Sequence, residues 1–394
     1  MRILYCAFDP VPFPKGSGSR IEATVRALAQ AGAQVVLHTP RPHARMEGFA
    51  ERLEGQNIDH RPVEVSEENF LDRVLAFRRS VEQILECERF EAAIFRSPWE
   101  GIPILKRVRI PVYEVHGFPS TELPSHFPAI RNRPEIMDRL IGEENLCLAR
   151  ARVLVTPSQT SRRYLMRRGV HPDKIRVVPN SFDSSQVAVD SSALELGEVV
   201  RIGYMGTLAP WQGLETLLEA LALSRRQKRT YRLVLAGTRK GRWARRLREL
   251  TAHLRLKDTL EMHGPLPKEQ LFELLRGCHV LAAPLPDDPR NGMQGCCPIK
   301  ILEYMACQRP ILSTRIPPVE EILADGVSAT LVPPNSAAWL ARGLEKILSD
   351  YEGAQQLAVA AKQRLDSHFP RARFSRQLHD LQQELERLKS SLST

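Results

Sequence analysis

Short apolar segments alternate with amphipathic stretches along most of the chain, and this alternation constrains the fold more than any other feature. The apolar runs at 2–8 and 34–39 are typical of buried strands, whereas the leucines of 214–225 recur at helical spacing. Strands that alternate with helices predict a parallel sheet covered on both faces. Because ligands bind at the carboxyl ends of such strands, we expect the functional residues there.

The alternation restarts after residue 198, which predicts two domains of similar size. Residues 184–198 are polar and aperiodic, as a linker would be, and 394 residues are enough for two cores. We place an N-terminal domain at 1–183, a linker at 184–198, a C-terminal domain at 199–370 and a last helix in 371–394. Strands are predicted at 2–8, 34–39, 91–96, 111–115, 152–155, 175–178, 199–206, 231–236, 259–262, 279–283 and 310–313. Helices are predicted at 20–31, 67–86, 133–150, 158–168, 214–225, 242–255, 267–276, 298–307, 335–348, 352–367 and 371–391.

The composition favours a protein of the cytoplasm. No run of about 18 apolar residues occurs, so we expect no transmembrane helix. Asp9 interrupts the first apolar run too early for a signal peptide. The seven cysteines contain no C-x-x-C pair, which favours reduced thiols, and we interpret Cys296 and Cys297 as packing residues.

Positive charge is concentrated in one segment. Residues 225–257 contain thirteen Arg and Lys against a single acid, Glu249, and this excess accounts for the net charge of +10. One interpretation is a solvated helix face. The other is an anionic partner, either an acidic polymer or the inner face of a membrane to which the protein attaches peripherally. We expect no nucleic acid partner.

The stretch 291–306 carries the most specific pattern. Gly292 and Gly295 predict a flexible loop after an apolar strand, and Pro298 suits the first position of a helix. Lys300 then lies in the first turn, where a cation opposes the helix dipole. An anion bound at this helix end would remove the conflict. The alternative is a lysine that points into water.

The order of residues in this stretch adds a resemblance. Cys297 to Ala306, Cys-Pro-Ile-Lys-Ile-Leu-Glu-Tyr-Met-Ala, with Arg-Pro-Ile-Leu at 309–312, resembles the donor-binding signature of retaining group 1 glycosyltransferases, and family 4 is the nearest. The resemblance implies the GT-B fold, an α/β architecture of two doubly wound Rossmann-like domains that face each other across a cleft. It also implies that the last helix crosses back to the N-terminal domain. Pro-Asn-Ser-Phe-Asp at 179–183 is similar to the family's Pro-Asn-Gly-Val-Asp turn.

The resemblance also implies roles for individual residues. The family's arginine and lysine that hold the donor diphosphate are replaced by Thr207 and Gln212. Their charge must come from elsewhere, with Lys300 the first choice ahead of Arg239 and Lys240, and then Arg290. Of the family's two glutamates eight residues apart, Glu303 matches the second, which contacts the ribose, and Gly295 occupies the position of the first.

The remaining candidates follow from the same resemblance. His116 occupies the place of a histidine that contacts the donor, at the end of a strand. The candidate catalytic residues are therefore His116, Lys300 and Glu303. The glycine loop before the first helix, which faces the cleft in the family, supplies acceptor-side candidates: Gly16, Ser17, Gly18 and Arg20. Candidate donor-binding residues are Asn180, Gly206, Thr207, Gln212, Arg239, Lys240, Gly264, Asn291, Gly295, Cys296, Cys297 and Ile299.

The function implied is retaining transfer of a sugar from a nucleotide sugar, a UDP-sugar by preference, to an unidentified acceptor. No D-x-D or H-E-x-x-H occurs, so we expect neither a metal nor a cofactor. The acceptor is left open between a lipid-linked glycan and a small soluble molecule, with a loop at 117–132 shaping its pocket. Two alternatives stay open: an epimerase of the same fold, and a basic binding module whose donor site has degenerated.

Overall fold

The structure is a computed structural model that describes residues 1–12, 16–41, 53, 55–65, 69–187, 194–224, 229–237, 240–256 and 259–392. It divides into two compact units. The first unit comprises Met1–Pro179 with Ala372–Thr394, and the second unit comprises Asn180–Arg371. The first division lies a few residues before the predicted one, because Phe182 packs in the core of the second unit and its N–H donates to the carbonyl of Phe369.

The first unit is built on a parallel sheet. Within the described residues its order is β3-β2-β1-β4-β5-β6-β7. Ile3 in β1 lies opposite Val35 in β2 and Ala92 in β4. The strands are β1 (Arg2–Cys6), β2 (Gln34–Pro40), β3 (Ile58–Val63), β4 (Ala92–Phe95), β5 (Pro111–Glu114), β6 (Val153–Thr156) and β7 (Ile175–Val177).

Helices cover both faces of this sheet. Ile3 and Tyr5 point to the face packed against the first helix, whereas Leu4 and Cys6 point to the opposite face. Successive side chains of a strand point to opposite faces of the sheet. Because helices cover both faces here, the side chains on both faces of the strand are buried and the strand appears in the sequence as a continuous apolar run. The helices are α1 (Gly16–Gln30), α2 (Phe70–Cys87), α3 (Pro98–Arg107), α4 (Pro119–His126), α5 (Pro134–Arg150) and α6 (Gln159–Arg167).

The second unit repeats this plan with another parallel sheet, of order β10-β9-β8-β11-β12-β13 in the described part of the chain. Its strands are β8 (Val199–Gly206), β9 (Thr230–Gly237), β10 (Leu260–His263), β11 (Val280–Ala283), β12 (Ile311–Thr314) and β13 (Thr330–Val332). Its helices are α7 (Leu214–Ser224), α8 (Arg242–His253), α9 (Lys268–Arg276), α10 (Ile299–Ala306), α11 (Pro317–Glu320), α12 (Ala337–Ser349) and α13 (Tyr351–His368). None of the described helices is both long and apolar enough to cross a membrane.

The last helix, α14 (Arg371–Ser391), packs on the first unit. Its buried residues share one apolar cluster with β1 and α1, and the side chain of Leu385 is fully buried there. These buried side chains are Phe374, Leu378, Leu381 and Leu385. The C-terminal helix is therefore part of the core of the N-terminal unit.

Several elements differ from the sequence predictions. The helix α1 begins at Gly16 rather than near residue 20, so Gly16, Ser17 and Gly18 form its first turn and not a loop. The predicted loop at 117–132 contains α4 and a 3-10 turn at Pro128–Asn132. The elements β3, α3, α11 and β13 were not predicted. In α3 the cause is composition, since Pro98, Gly101 and Pro103 lie within ten residues of helix.

We predict that Leu385→Ala destabilises the first unit by about 2–5 kcal/mol, because it removes buried methyl groups from a packed core. Hydrogen exchange of the β1 amides should accelerate, whereas amides of β8 in the second unit should keep their protection. The matched control is Arg387→Ala, an exposed position on the same helix. Equal protection of β1 in both variants would contradict the assignment of α14 to the core.

Candidate functional site

The side chain of Lys300 turns inward at the start of α10. The helix begins at Ile299, with Pro298 as its N-cap rather than its first residue. Lys300 is only 9% exposed. Its Nζ donates to the hydroxyl of Tyr204 at 3.0 Å and to Oε1 of Gln212, and lies 4.2 Å from the centroid of the Tyr204 ring. The alternative of a lysine that points into water is therefore not what the structure shows.

Two glycines make room for this arrangement at the carboxyl end of β8. Gly206 has a φ of +128°, which residues with a side chain rarely adopt, and the Lys300 ammonium lies against it. Gly213 has a φ of +70°, and a Cβ there would lie 1.7 Å from the carbonyl oxygen of Pro284. Both positions therefore require glycine, and Gly213 directs the chain from Gln212 into α7.

Gln212 and Thr207, which replace the family's two basic residues, both accept hydrogen bonds from Tyr204, which in turn contacts Lys300. Tyr204 donates to the carbonyl oxygen of Thr207 at 2.8 Å and approaches Oε1 of Gln212 at 3.2 Å. The side chain of Thr207 is exposed, whereas Gln212 is buried. A positive charge thus stands next to residue 212, but it belongs to Lys300.

Burial alters the acid–base properties of the two charged residues of α10. It lowers the pKa of Lys300 to about 7, although the neighbouring Cys296 and Glu303 act in the opposite direction. Burial also raises the pKa of Glu303 to about 7, against the effect of Lys268 and Lys300. Oε2 of Glu303 is buried with no hydrogen-bond partner among the described residues. Both groups therefore change charge near neutral pH, and the carboxylate has an unused acceptor.

The predicted flexible loop before α10 is instead ordered. Pro289–Gln294 form a π-helical turn, in which the carboxylate of Asp288 accepts the N–H of Asn291 at 2.7 Å. The Asn291 amide donates to the carbonyl oxygens of Trp211 at 2.8 Å and Pro286 at 3.2 Å. The guanidinium of Arg290 lies 5.0 Å from the Trp211 ring centroid. These contacts fasten the turn to the loop that carries Gln212.

The two cysteines of the signature take part in packing. Cys297 is buried, and its carbonyl oxygen accepts the side-chain amide of Asn180 at 2.6 Å. Burial raises the pKa of the Cys296 thiol, and neither residue forms a disulfide. Gly295 ends the π-helical turn with a φ of +79°. The structure thus brings Asn180 together with the stretch that precedes α10.

The other donor-side candidates lie farther along the same sheet edge. Gly264 follows β10, and the exposed Lys240 precedes α8. Arg239 lies outside the described residues. Within the described part of the chain, no three His, Cys, Asp or Glu side chains are grouped closely enough to hold a metal ion.

In the first unit, His116 belongs to a buried charged cluster. Its Nε2 lies 3.2 Å from Oε1 of Glu114, which also accepts from Nε of Arg20 at 2.9 Å. Burial would raise the pKa of Glu114, but Arg20 and His116 hold it well below its usual range. Burial and the nearby Arg96 lower the pKa of His116 to about 4, so its ring is neutral at pH 7. Arg20, a predicted acceptor-side residue, belongs to this cluster and also donates through Nη1 to the carbonyl oxygens of 178 and 179.

Sequence reasoning missed Glu114 and Arg96. Each has a recognisable signal, because each is a charged residue at the carboxyl end of a short apolar strand. Glu114 ends β5, and Arg96 directly follows β4. In a parallel sheet these positions face the ligand-binding edge.

Comparison with protein-family models decides the family. Residues 14–186 match the model described as Glycosyltransferase Family 4, and residues 192–364 match Glycosyl transferases group 1. This chain belongs to the group 1 glycosyltransferases. The two parallel-sheet Rossmann-like units are those of the GT-B fold, so the predicted family and fold class are confirmed.

Two sequence relatives illustrate the match. WcaL of Salmonella typhimurium, a candidate colanic acid biosynthesis glycosyltransferase, is 28% identical over 223 residues, which are 55% of this chain and 53% of WcaL. The D-inositol 3-phosphate glycosyltransferase of Acidothermus cellulolyticus is 28% identical over 228 residues, 55% of this chain and 49% of the relative. The chain therefore spans about half the length of these relatives.

Solved structures match over nearly the full length. Sucrose-phosphate synthase of Thermosynechococcus elongatus is 18% identical, with 98% of this chain and 100% of that chain covered and a TM-score of 0.80. HepE of Anabaena, crystallised with UDP and glucose, is 18% identical with the same coverage and a TM-score of 0.73. At this identity the likeness concerns the fold of the glycosyltransferase.

We predict that Gly213→Ala destabilises the second unit more than Gly326→Ala does. Gly326 has nearly the same φ, +68°, but nothing lies within 4 Å of the position of its Cβ. Gly326→Ala should cost about 1–2 kcal/mol of backbone strain. Gly213→Ala should cost about 1–3 kcal/mol more, because its Cβ clashes with Pro284. Thermal unfolding measures both, and equal losses would contradict the close approach of Gly213 to Pro284.

Proposed function

We propose that this glycosyltransferase moves a hexose, with retention of configuration, from a UDP-sugar bound by the second unit to an acceptor bound by the first unit. The observation that carries the proposal is the buried Lys300 at the N-terminus of α10. UDP and UDP-glucose are bound by HepE, which shares the fold, and this supports a UDP-sugar as the donor here.

The diphosphate of the donor fits the start of α10. Free N–H groups and the positive end of the helix dipole attract an anion there. Lys300 adds a cation that is already held in position by Tyr204 and Gln212. In transfer from a nucleotide sugar, negative charge grows on the departing diphosphate. A fixed cation in a site shielded from water stabilises that charge and lowers the barrier.

The ribose fits Glu303, one turn further along α10. The buried Oε2 of Glu303 has no hydrogen-bond partner within the described residues, and a ribose hydroxyl would supply a donor for it. His116 is neutral near pH 7, and because Nε2 faces the carboxylate of Glu114, the other ring nitrogen can accept a hydrogen bond from a sugar hydroxyl. The retaining stereochemistry is proposed from the family resemblance alone.

We expect UDP to bind without a metal ion, because Lys300 and the helix end supply the positive charge. Isothermal titration calorimetry of the full chain with UDP in EDTA tests the expectation, with uridine as the uncharged control. Binding that appears only after Mg²⁺ or Mn²⁺ is added would refute metal independence. Absence of UDP binding under both conditions would refute the proposed donor.

The pKa values of Lys300 and Glu303 predict a bell-shaped pH dependence of UDP affinity with its maximum near pH 7. Above pH 7 free Lys300 loses its proton, so binding must take one up, and the affinity falls by up to about tenfold per pH unit. Below pH 7 Glu303 is protonated and loses an acceptor, so the affinity falls again. Titration calorimetry with UDP between pH 5.5 and 9 measures both limbs.

Two variants show which residue causes each limb of the pH profile of UDP affinity. Lys300→Met keeps the bulk of the side chain, should weaken UDP binding at pH 7 by roughly 1.5–3 kcal/mol, and should remove the alkaline limb. Glu303→Gln should remove the acidic limb. Their differences from the wild type cancel the titration of UDP itself. Gln212→Lys added to Lys300→Met should restore part of the affinity by returning a cation to the same place. An unchanged profile in Lys300→Met would refute its contact with the diphosphate.

A basic helix face gives the same protein a means of peripheral attachment to anionic membranes, which we propose as a second feature of its function. Of the predicted basic segment, the structure does not describe 225–228, 238–239 and 257. In α8, Ala244, Leu247 and Thr251 are buried. The opposite face exposes arginines, one of which pairs with Glu215 at 2.7 Å. These exposed residues are Arg242, Arg245, Arg246 and Arg248. Each basic group near an anionic leaflet contributes about 1 kcal/mol.

Sedimentation with phosphatidylglycerol vesicles should therefore capture the protein at low salt and lose it steeply as salt rises. Replacing Arg242, Arg245 and Arg248 by Gln should abolish capture. The matched control replaces three exposed arginines of the first unit, Arg131, Arg133 and Arg139, and should leave capture unchanged. If the control loses capture and the α8 variant keeps it, the α8 assignment is wrong.

A further inference from the structure

The buried cation Arg96 lies over the first turn of α1. Arg96 follows β4, and its residue exposure is 8%. Its Nη1 donates to the carbonyl oxygen of Ser17 at 3.3 Å. Its Nε is buried and has no hydrogen-bond partner among the described residues. A guanidinium normally uses its fork of N–H groups on a planar anion, and here part of that fork is unused.

The carboxylates around Arg96 are committed elsewhere. Glu114 is occupied by Arg20, by the hydroxyl of Tyr5 and by His116. Glu100 accepts the backbone N–H groups of 96 and 97. Asp9 lies 3.8 Å from Nη1, beyond hydrogen-bond distance, with a side chain that is 40% exposed. Burial acts to lower the pKa of the Arg96 guanidinium, but the attraction of these acids outweighs it and raises that pKa, so Arg96 stays charged. Among the described residues, however, no carboxylate lies within hydrogen-bond distance of that guanidinium.

The first turn of α1 favours the same type of ligand. This helix of 15 residues begins with Gly-Ser-Gly-Ser and has no acidic residue in its first turn. Its N-terminal N–H groups and dipole attract an anion. The helix end and the guanidinium of Arg96 therefore act together on one small region of the first unit.

We propose that Arg96 and the first turn of α1 bind an anionic group, a phosphate or carboxylate, carried by the acceptor. The inference rests on the proposed transfer reaction and names the chemical class of its acceptor. An anion here would take the free Nε–H of Arg96 and replace the loose contact with Asp9. The same chemistry could come from the donor, either from its diphosphate or from an acidic donor sugar, and the experiment separates these sources.

The test uses the full chain saturated with UDP, so that the donor site cannot take the probe. Glycerol 3-phosphate is titrated by calorimetry, with glycerol as its uncharged counterpart. We expect glycerol 3-phosphate to bind at millimolar concentrations and glycerol not to bind. Arg96→Gln should weaken binding by roughly tenfold or more, as expected for lost hydrogen bonds to a charged group. Arg96→Lys should give an intermediate loss, because it keeps the charge and not the fork.

The control variant is Arg107→Gln, which removes an exposed arginine of the same unit that pairs with Glu86 at 2.9 Å, and it should bind glycerol 3-phosphate normally. Melting temperatures verify that each variant folds. If Arg96→Gln does not fold, the affinity of Arg96→Lys alone decides the test. The proposal is overturned if the wild type does not bind glycerol 3-phosphate, if glycerol binds equally well, or if the Arg96 variants bind as the wild type does.

The sources of the anion are separated by donor titrations without glycerol 3-phosphate. Equal affinities of wild type and Arg96→Gln for UDP, UDP-glucose and UDP-glucuronate support the acceptor. A loss confined to UDP-glucuronate, or a loss for UDP itself, assigns Arg96 to the donor and overturns the proposal. If the wild type binds glycerol 3-phosphate through Arg96 but binds no UDP, the proposed donor fails while the anion site stands.

Discussion

The contacts at the carboxyl edge of the second sheet depend on one buried group, the ammonium of Lys300. A buried amine is tolerated only with close polar partners, and Tyr204 and Gln212 supply them. Gln212 reaches the lysine because Gly213 turns the chain tightly against Pro284. The π-helical turn then closes over the same loop through Asn291. Gln212 replaces a basic residue of the family and so suggests a degenerate phosphate site. In the structure, Gln212 instead helps to position the cation of Lys300.

Much of the second unit could be predicted from its sequence, because strands and helices there have unambiguous apolar periods. The start of α10 was predicted within one residue of its observed position. The direction of Lys300 could not be, since its partners Tyr204 and Gln212 are 96 and 88 residues away. Gly292 and Gly295 suggested flexibility, yet that stretch is ordered by hydrogen bonds that Asn291 donates to Asp288 and to the carbonyl oxygen of Trp211. Local composition could not reveal them.

The first unit was harder to predict where proline and glycine serve packing. In α3, Gly101 lies against the Phe95 ring, where a Cβ would come within 2.5 Å, so the residue that weakens the helix signal is needed for contact with β4. His116 could be proposed from its place after a strand. Its neutral state depends on burial and on the charges of Arg96 and Arg20, which lower its pKa more than Glu114 raises it, and these residues come from separate elements. Such charge balances are tertiary properties, and a sequence pattern does not contain them.

The packing of α14 has a consequence for the order in which the chain can mature. The second unit is one continuous segment, Asn180–Arg371, and every strand of its sheet has been synthesised before α14 is made. The first unit is interrupted, and its core lacks Phe374 and Leu385 until the whole second unit has been made. Joining those ends closes a loop of the whole intervening segment, whose entropic cost grows slowly with length. During translation, therefore, the unit made first is the last that can complete its core.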